Sequence, residues 1–219
     1  MPPTRVRPRK TLVIACGALA REILAVKQAN GLDHLDVTCL PAIWHNRPEK
    51  IPEGVRRKIR AARGRYDEIL CLYGDCGTGG LLDAVLAEEG VERIGGDHCY
   101  AFFAGLDAFA GLHDAEPGTF YLTDYLVRHF DRLMIRGLGL DRYPQLLKDY
   151  FGNYARVLYL AQTQDEALTR KAEQAAARLG LAFERIFTGY GLVPSFVDRQ
   201  GEASKGATSD GATHHRLLA

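Results

Sequence analysis

Ile69-Leu70-Cys71-Leu72-Tyr73-Gly74-Asp75-Cys76-Gly77-Thr78-Gly79-Gly80 starts as a short apolar run and breaks into a glycine turn. Leu81-Leu82-Asp83-Ala84-Val85-Leu86 then resumes at helical spacing. An apolar strand, a glycine turn and a helix make the unit in which α/β proteins place their sites. Here the turn carries a thiol and a carboxylate. On either side the same alternation continues. Residues 11–15, 35–40, 91–94, 119–122, 156–161 and 181–187 read as further strands. Residues 20–30, 53–65, 125–136, 143–151 and 165–179 read as helices, and Phe102, Phe103, Leu106 and Phe109 as an aromatic helix. Strands alternating with helices predict a doubly wound, mostly parallel sheet with helices on both faces, a Rossmann-like three-layer α/β fold. The expected organisation is a basic arm over residues 1–10, one α/β domain over 11–197 and a Gly/Ser/Ala/Thr-rich disordered tail over 198–219.

The charges nearly cancel, 28 Lys and Arg against 27 Asp and Glu, so nothing asks for nucleic acid as a partner. No apolar run approaches the ~20 residues of a membrane span. The basic start lacks the apolar core and cleavage site of a signal peptide, which points to the cytoplasm. The 5 cysteines are an odd number, all in the first half. In a cytoplasmic chain that favours free thiols, with metal binding or catalysis open to them, over a disulfide framework.

Ligands of open α/β sheets bind beyond the carboxyl ends of the strands. Cys16 follows the first strand, His45-Asn46-Arg47 the second, Asp75-Cys76-Gly77-Thr78 the third and Asp97-His98-Cys99 the fourth. Thr123-Asp124, Gln162-Thr163 and Thr188-Gly189-Tyr190-Gly191 follow the later ones. Cysteine and neutral histidine are preferred zinc ligands, and ligands from separate strand ends suit a catalytic site. Cys16, Cys76 and Cys99, with His45 or His98, are therefore candidate metal ligands, although no two of these cysteines form a C-x-x-C pair. Cys39 and Cys71 lie within strands and read as core, small buried hydrophobes.

Cys76 has a second reading. It precedes a helix, where the dipole and free N–H groups lower a thiol pKa, so with Asp75 and His45 it is a candidate nucleophile. The amides around Thr78 and Gly79 could cradle a phosphate or carboxylate. Asn46 and Arg47 sit in a proline-stiffened loop where Arg47 could clamp a substrate carboxylate. Thr188 and Tyr190 complete the candidate substrate contacts. The turn lacks the Gly-Lys-Ser/Thr ending of a phosphate loop and the G-x-G-x-x-G of dinucleotide binding, so nicotinamide and flavin have no support.

The stretches Val13–Ile23, His45–Ile51, Tyr73–Gly80, His98-Cys99-Tyr100, Pro117–Asp124, Tyr150–Tyr154 and Thr188–Gly191 resemble the DUF1638 domain family of uncharacterised bacterial and archaeal proteins. The resemblance runs over most of residues 11–197. It implies no established reaction; members are similar in context to corrinoid-linked methyl-transfer systems. The Asp-x-His-x-x-Gly pattern of corrinoid-binding domains is missing, so a corrinoid is not expected to bind directly. The leading expectation is a zinc-binding cytoplasmic protein acting on a small molecule, assisting methyl or one-carbon transfer. The alternatives are a metal-free cysteine nucleophile, racemase- or acyl-transfer-like, and a non-catalytic metal- or anion-binding accessory module.

Overall fold

The structure is a computed structural model that describes residues 9–198. Most of the basic arm, and the tail with His214 and His215, lie outside the described residues. Strands β1 (Thr11–Cys16), β2 (Leu35–Leu40), β3 (Glu68–Leu72) and β4 (Glu92–Arg93) form one parallel sheet in the order β2-β1-β3-β4. Strands β5 (Thr119–Thr123), β6 (Arg156–Ala161) and β7 (Ala182–Phe187) form a second parallel sheet in that order. The expected α/β class with parallel strands is present, but the strands divide into two sheets rather than one.

Each division has a local cause. β4 is only two residues long and ends the first sheet at that edge. The predicted aromatic helix breaks at Gly105 into α4 (Cys99–Ala104) and α5 (Leu106–Ala115). This helical pair covers one face of the second sheet, burying Tyr121, Leu158 and Leu160 against Tyr100, Ala104, Phe109 and Leu112. The other face buries Leu122, Val157 and Tyr159 beneath α8 (Glu166–Leu179), whose Leu168, Ala172, Ala175 and Ala176 face inward. Asp165 caps α8, accepting from the Ala167 and Leu168 N–H groups, as an Asx N-cap does.

In the first sheet β1 is buried along its whole length, as a parallel strand covered on both faces must be. The chain passes from β1 through α1 (Ala20–Ala29) to β2, then returns through α2 (Ile51–Ala62) past β1 to β3. Right-handed crossovers in opposite directions put α1 and α2 on opposite faces. α3 (Leu81–Glu89) continues in the direction of α2 and packs beside it. The reversal leaves a crevice between the carboxyl ends of β1 and β3, the topological switch point.

After β7 the chain crosses back to the first sheet. The short helix α9 (Val193–Val197) was not expected from the sequence; it packs on α1 and buries Val193, Phe196 and Val197 in the first core. The crossing is held where Leu192 N–H donates to the Phe102 carbonyl at 2.7 Å. Gly191 has φ of 52°, and an added Cβ would overlap the Phe102 and Phe103 carbonyl oxygens. Gly191→Ala therefore combines left-handed strain with a backbone clash. We expect a loss of about 2–4 kcal/mol, read as a fall in the denaturant midpoint at unchanged slope. An unchanged midpoint would show that this crossing is not clamped as described. Among the described residues no helix is long and apolar enough to cross a membrane.

Candidate functional site

The end of β3 is built by its own carboxylate. Asp75 accepts from the Thr78 hydroxyl at 2.5 Å, from Gly80 N–H at 2.8 Å and from Gly79 N–H at 3.1 Å. Thr78 in turn accepts from Leu82 N–H at 3.3 Å and so caps α3. The amides expected to cradle a substrate anion are thus already occupied by an internal one. A substrate anion at Thr78 and Gly79 would compete with Asp75, and Asp75 is the residue that holds the turn. Burial works against the Asp75 charge, but the Thr78 hydroxyl and the Gly80, Gly79 and Gly77 amides outweigh it and hold the carboxyl below its ordinary range.

That turn presents Cys76 with φ of 51°, the one left-handed non-glycine residue among those described. Its N–H donates to the Asp97 carbonyl at 2.9 Å. The loop after β4 is pressed against the turn: a Cβ on Gly74 would stand 2.7 Å from the Asp97 oxygen. The close approach brings Cys99, at the start of α4, beside Cys76, and each enters the electrostatics of the buried thiols.

The segment after β2 folds over the crevice as two short 3-10 turns, Ala42–Asn46 and Pro48–Lys50. Trp44 packs on the first core, and Pro48 lies beside Gly77. His45 Nδ1 lies 3.0 Å from the Ala42 carbonyl and 3.8 Å from Cys16 Sγ, and Cys76 acts on the ring electrostatically. With Nδ1–H donated to Ala42, Nε2 keeps its lone pair for a metal or a proton. Burial disfavours the charged imidazole, yet Cys76 and the Ala42 carbonyl together shift its pKa upward.

Cys16 is buried at the end of β1 and accepts from Ala18 N–H at 3.3 Å. Burial pushes its thiol pKa up, with Ala18 and Tyr73 pulling the other way. Burial raises Cys99 well above the ordinary thiol range, and Cys76, Cys16 and Glu22 add to it. Tyr73 is 1% exposed and lies nearly parallel to His45, ring centroids 6.2 Å apart. Its hydroxyl has no hydrogen bond of ordinary geometry among the described residues, and the group it faces is the Cys16 thiol. Cys16, His45, Tyr73, Cys76 and Cys99 therefore meet at the switch point. Among the described residues, however, no three Cys, His, Asp or Glu side chains form a group that could hold a metal as placed.

The other expected site residues differ in their surroundings. His98 is exposed and turns away from the thiols; it lines an aromatic cavity of about 570 Å³ with Tyr100, Phe109, Tyr121 and Tyr154. Asn46 and Arg47 are exposed, and the Arg47 guanidinium has no acceptor among the described residues. The Thr188 hydroxyl is taken by the Ala161 and Gly189 carbonyls at 3.2 and 3.1 Å, and Tyr190 packs on the first core. Cys71 is fully buried, its pKa pushed up to about 12 by burial, in keeping with a core role.

Two residues of the interior, Tyr73 and Glu22, are not singled out by the sequence, which names Asp124 only as a residue at a strand end. Glu22, 4% exposed on α1, has an unpartnered Oε2 and a pKa raised chiefly by burial, with Asp124 adding to it. Asp124, fully buried at the end of β5, accepts from Tyr159 Oη at 2.6 Å, Thr163 Oγ1 at 2.6 Å, Gln162 N–H at 3.0 Å and Arg128 at 3.4 Å. A carboxylate in the buried stripe of α1, beside Ile23 and Val26, is the signal that marks Glu22.

A parallel two-sheet α/β protein with a thiol-lined switch point is the class that the fold and site define. The model of the family described as "Protein of unknown function (DUF1638)" matches residues 39–197, and the chain belongs to that family. No curated protein matches it. Among solved structures it is similar to the ornithine carbamoyltransferase from Pyrococcus furiosus, at 19% identity and a TM-score of 0.28. That similarity covers 81% of this chain and 54% of the carbamoyltransferase chain.

Proposed function

We propose that the switch-point crevice is a thiolate-rich zinc centre that assists methyl or one-carbon transfer to a small-molecule thiol. The observation that carries this reading is the meeting of Cys16, Cys76, Cys99 and His45 around the buried, unpartnered Tyr73 hydroxyl. Burial raises the pKa of Cys16 and Cys99, so their thiols favour the neutral form until a cation enters; a divalent ion would release their protons and supply the missing charge.

Cys16, Cys76 and Cys99 would hold the zinc, which when bound would supply a lowered pKa to a substrate thiol or to water. His45 Nε2 would take the proton that the substrate thiol loses. The thiolate sulfur then attacks the methyl carbon of a donor, whose leaving group departs with the electron pair. Arg47, without an acceptor of its own, is suited to a substrate carboxylate. A corrinoid-linked methyl-transfer system is the partner class that would supply such a donor. Five free thiols suit a reducing compartment such as the cytoplasm.

A second reading has its own observation. A left-handed cysteine between strand and helix, within the electrostatic reach of a histidine, resembles a nucleophile elbow. Metal content separates the two. Untagged protein is expected to carry near-stoichiometric zinc. Cys16→Ser, Cys76→Ser and Cys99→Ser should each lose most of it while Cys39→Ser keeps it. Equal zinc in all four variants, or rapid alkylation of Cys76 with and without chelator in a zinc-free protein, favours the nucleophile and ends the zinc reading.

A further inference from the structure

On the second lobe, away from the thiols, a cavity of about 480 Å³ is lined by Arg128, His129, Arg132, Arg136, Lys171 and Arg178. Five of these are permanent cations, and the one lining carboxylate is Asp131. Asp131 is engaged by Arg178 at 2.6 Å, and Arg128 leans on the buried Asp124 at 3.4 Å. Arg132, Arg136 and Lys171 have no acceptor among the described residues. Cations gathered around one concavity repel one another, which disfavours leaving the site without an anion. Burial and then Arg132, Arg21 and Arg128 push the His129 pKa down, as a positive field does.

The backbone contributes a second, independent observation. Residues 125–136 read as one helix, but α6 (Asp124–Arg128) ends early and Asp131–Arg136 is wound as a π-helix. Such turns are rare and recur at functional sites. Arg128, Arg132 and Arg136, spaced four apart, line the same cavity as Lys171 and Arg178 of α8, and the π-helical segment forms part of its wall.

We propose that this cavity binds a small molecule carrying two or more phosphoryl groups. Guanidinium forks match phosphate oxygens in pairs, and the free Lys171 ammonium adds a point charge. The volume suits a nucleotide-sized ligand. The near-neutral balance of the chain argues against a long nucleic-acid track. The site is independent of the zinc reading.

Calorimetric titration of the full chain with inorganic tripolyphosphate in low salt tests it. Saturable one-to-one binding is expected, weakened at least tenfold in Arg132→Ala/Arg136→Ala and unchanged in Arg57→Ala/Arg65→Ala, which removes equal charge elsewhere. Each variant is checked for its unfolding midpoint, since the replaced side chains are exposed. Four outcomes overturn the proposal: no saturable binding; equal weakening in both double variants; citrate or sulfate binding as tightly as tripolyphosphate, which marks plain counterion attraction; or a single-stranded oligonucleotide binding more tightly at the same residues.

Discussion

Asp124→Ala is expected to lower the unfolding free energy by about 3–5 kcal/mol, because it strips one carboxylate from four donors at once. The Tyr159 hydroxyl, the Gln162 N–H, the Thr163 hydroxyl and the Arg128 guanidinium all point at it. Asp124 and Tyr159 are fully buried, so water does not replace what is lost. The Arg128 contact is the longest of the four, at 3.4 Å, and contributes least. Asp124→Asn keeps the shape and one acceptor oxygen and should recover about half of the loss. The comparison is made by denaturant unfolding of both variants. A midpoint within experimental scatter of the wild type for Asp124→Ala would mean that the network does not hold the carboxyl end of the second sheet.

The second large effect is at the cysteine turn. Asp75→Ala should cost about 2–4 kcal/mol, since it removes three hydrogen bonds to a carboxylate and leaves Thr78, Gly79 and Gly80 without their acceptor. For a chain of this length that corresponds to roughly 5–15 °C in melting temperature. The effect has a pH signature. The folded carboxyl is held below its ordinary range, so its stabilisation is fully present above the unfolded value of about 3.9. It is lost as pH falls below that value through the folded one. Melting curves of wild type and Asp75→Asn should thus differ most above pH ~4 and converge in stronger acid. A gap of constant size across that range would show that the turn is not held by the ionised carboxylate. The same variant should lose bound zinc, because the left-handed pose of Cys76 depends on the turn.

Much of the site could be read in the sequence because parallel strands end on one side. Cys16, His45, Cys76 and Cys99 all lie at or just beyond the ends of the first four strands, and the folded chain sets them together. The glycine turn misled in one respect. Gly-Thr-Gly-Gly looks like an open anion cradle, and only the folded chain reveals that Asp75, three to five residues back, fills it. His98 and Cys99 are adjacent, so they leave the backbone in different directions, and sequence adjacency could not say which one faces the thiols. Tyr73 has the pattern of an ordinary core residue; its unmet hydroxyl depends on neighbours from three other segments. The division into two sheets turned on Gly105 and the brevity of β4, which periodicity does not register. The π-helical turn at Asp131–Arg136 keeps the apolar pattern of an α-helix and so was hidden as well.

X-ray absorption at the zinc edge of freshly purified, untagged protein tests the central claim most directly. The account predicts near-stoichiometric zinc with three sulfur neighbours at about 2.3 Å and a nitrogen or oxygen neighbour at about 2.0–2.1 Å, and loss of most of the zinc signal in Cys76→Ser. A metal-free protein, or a shell of oxygen and nitrogen alone, would contradict it.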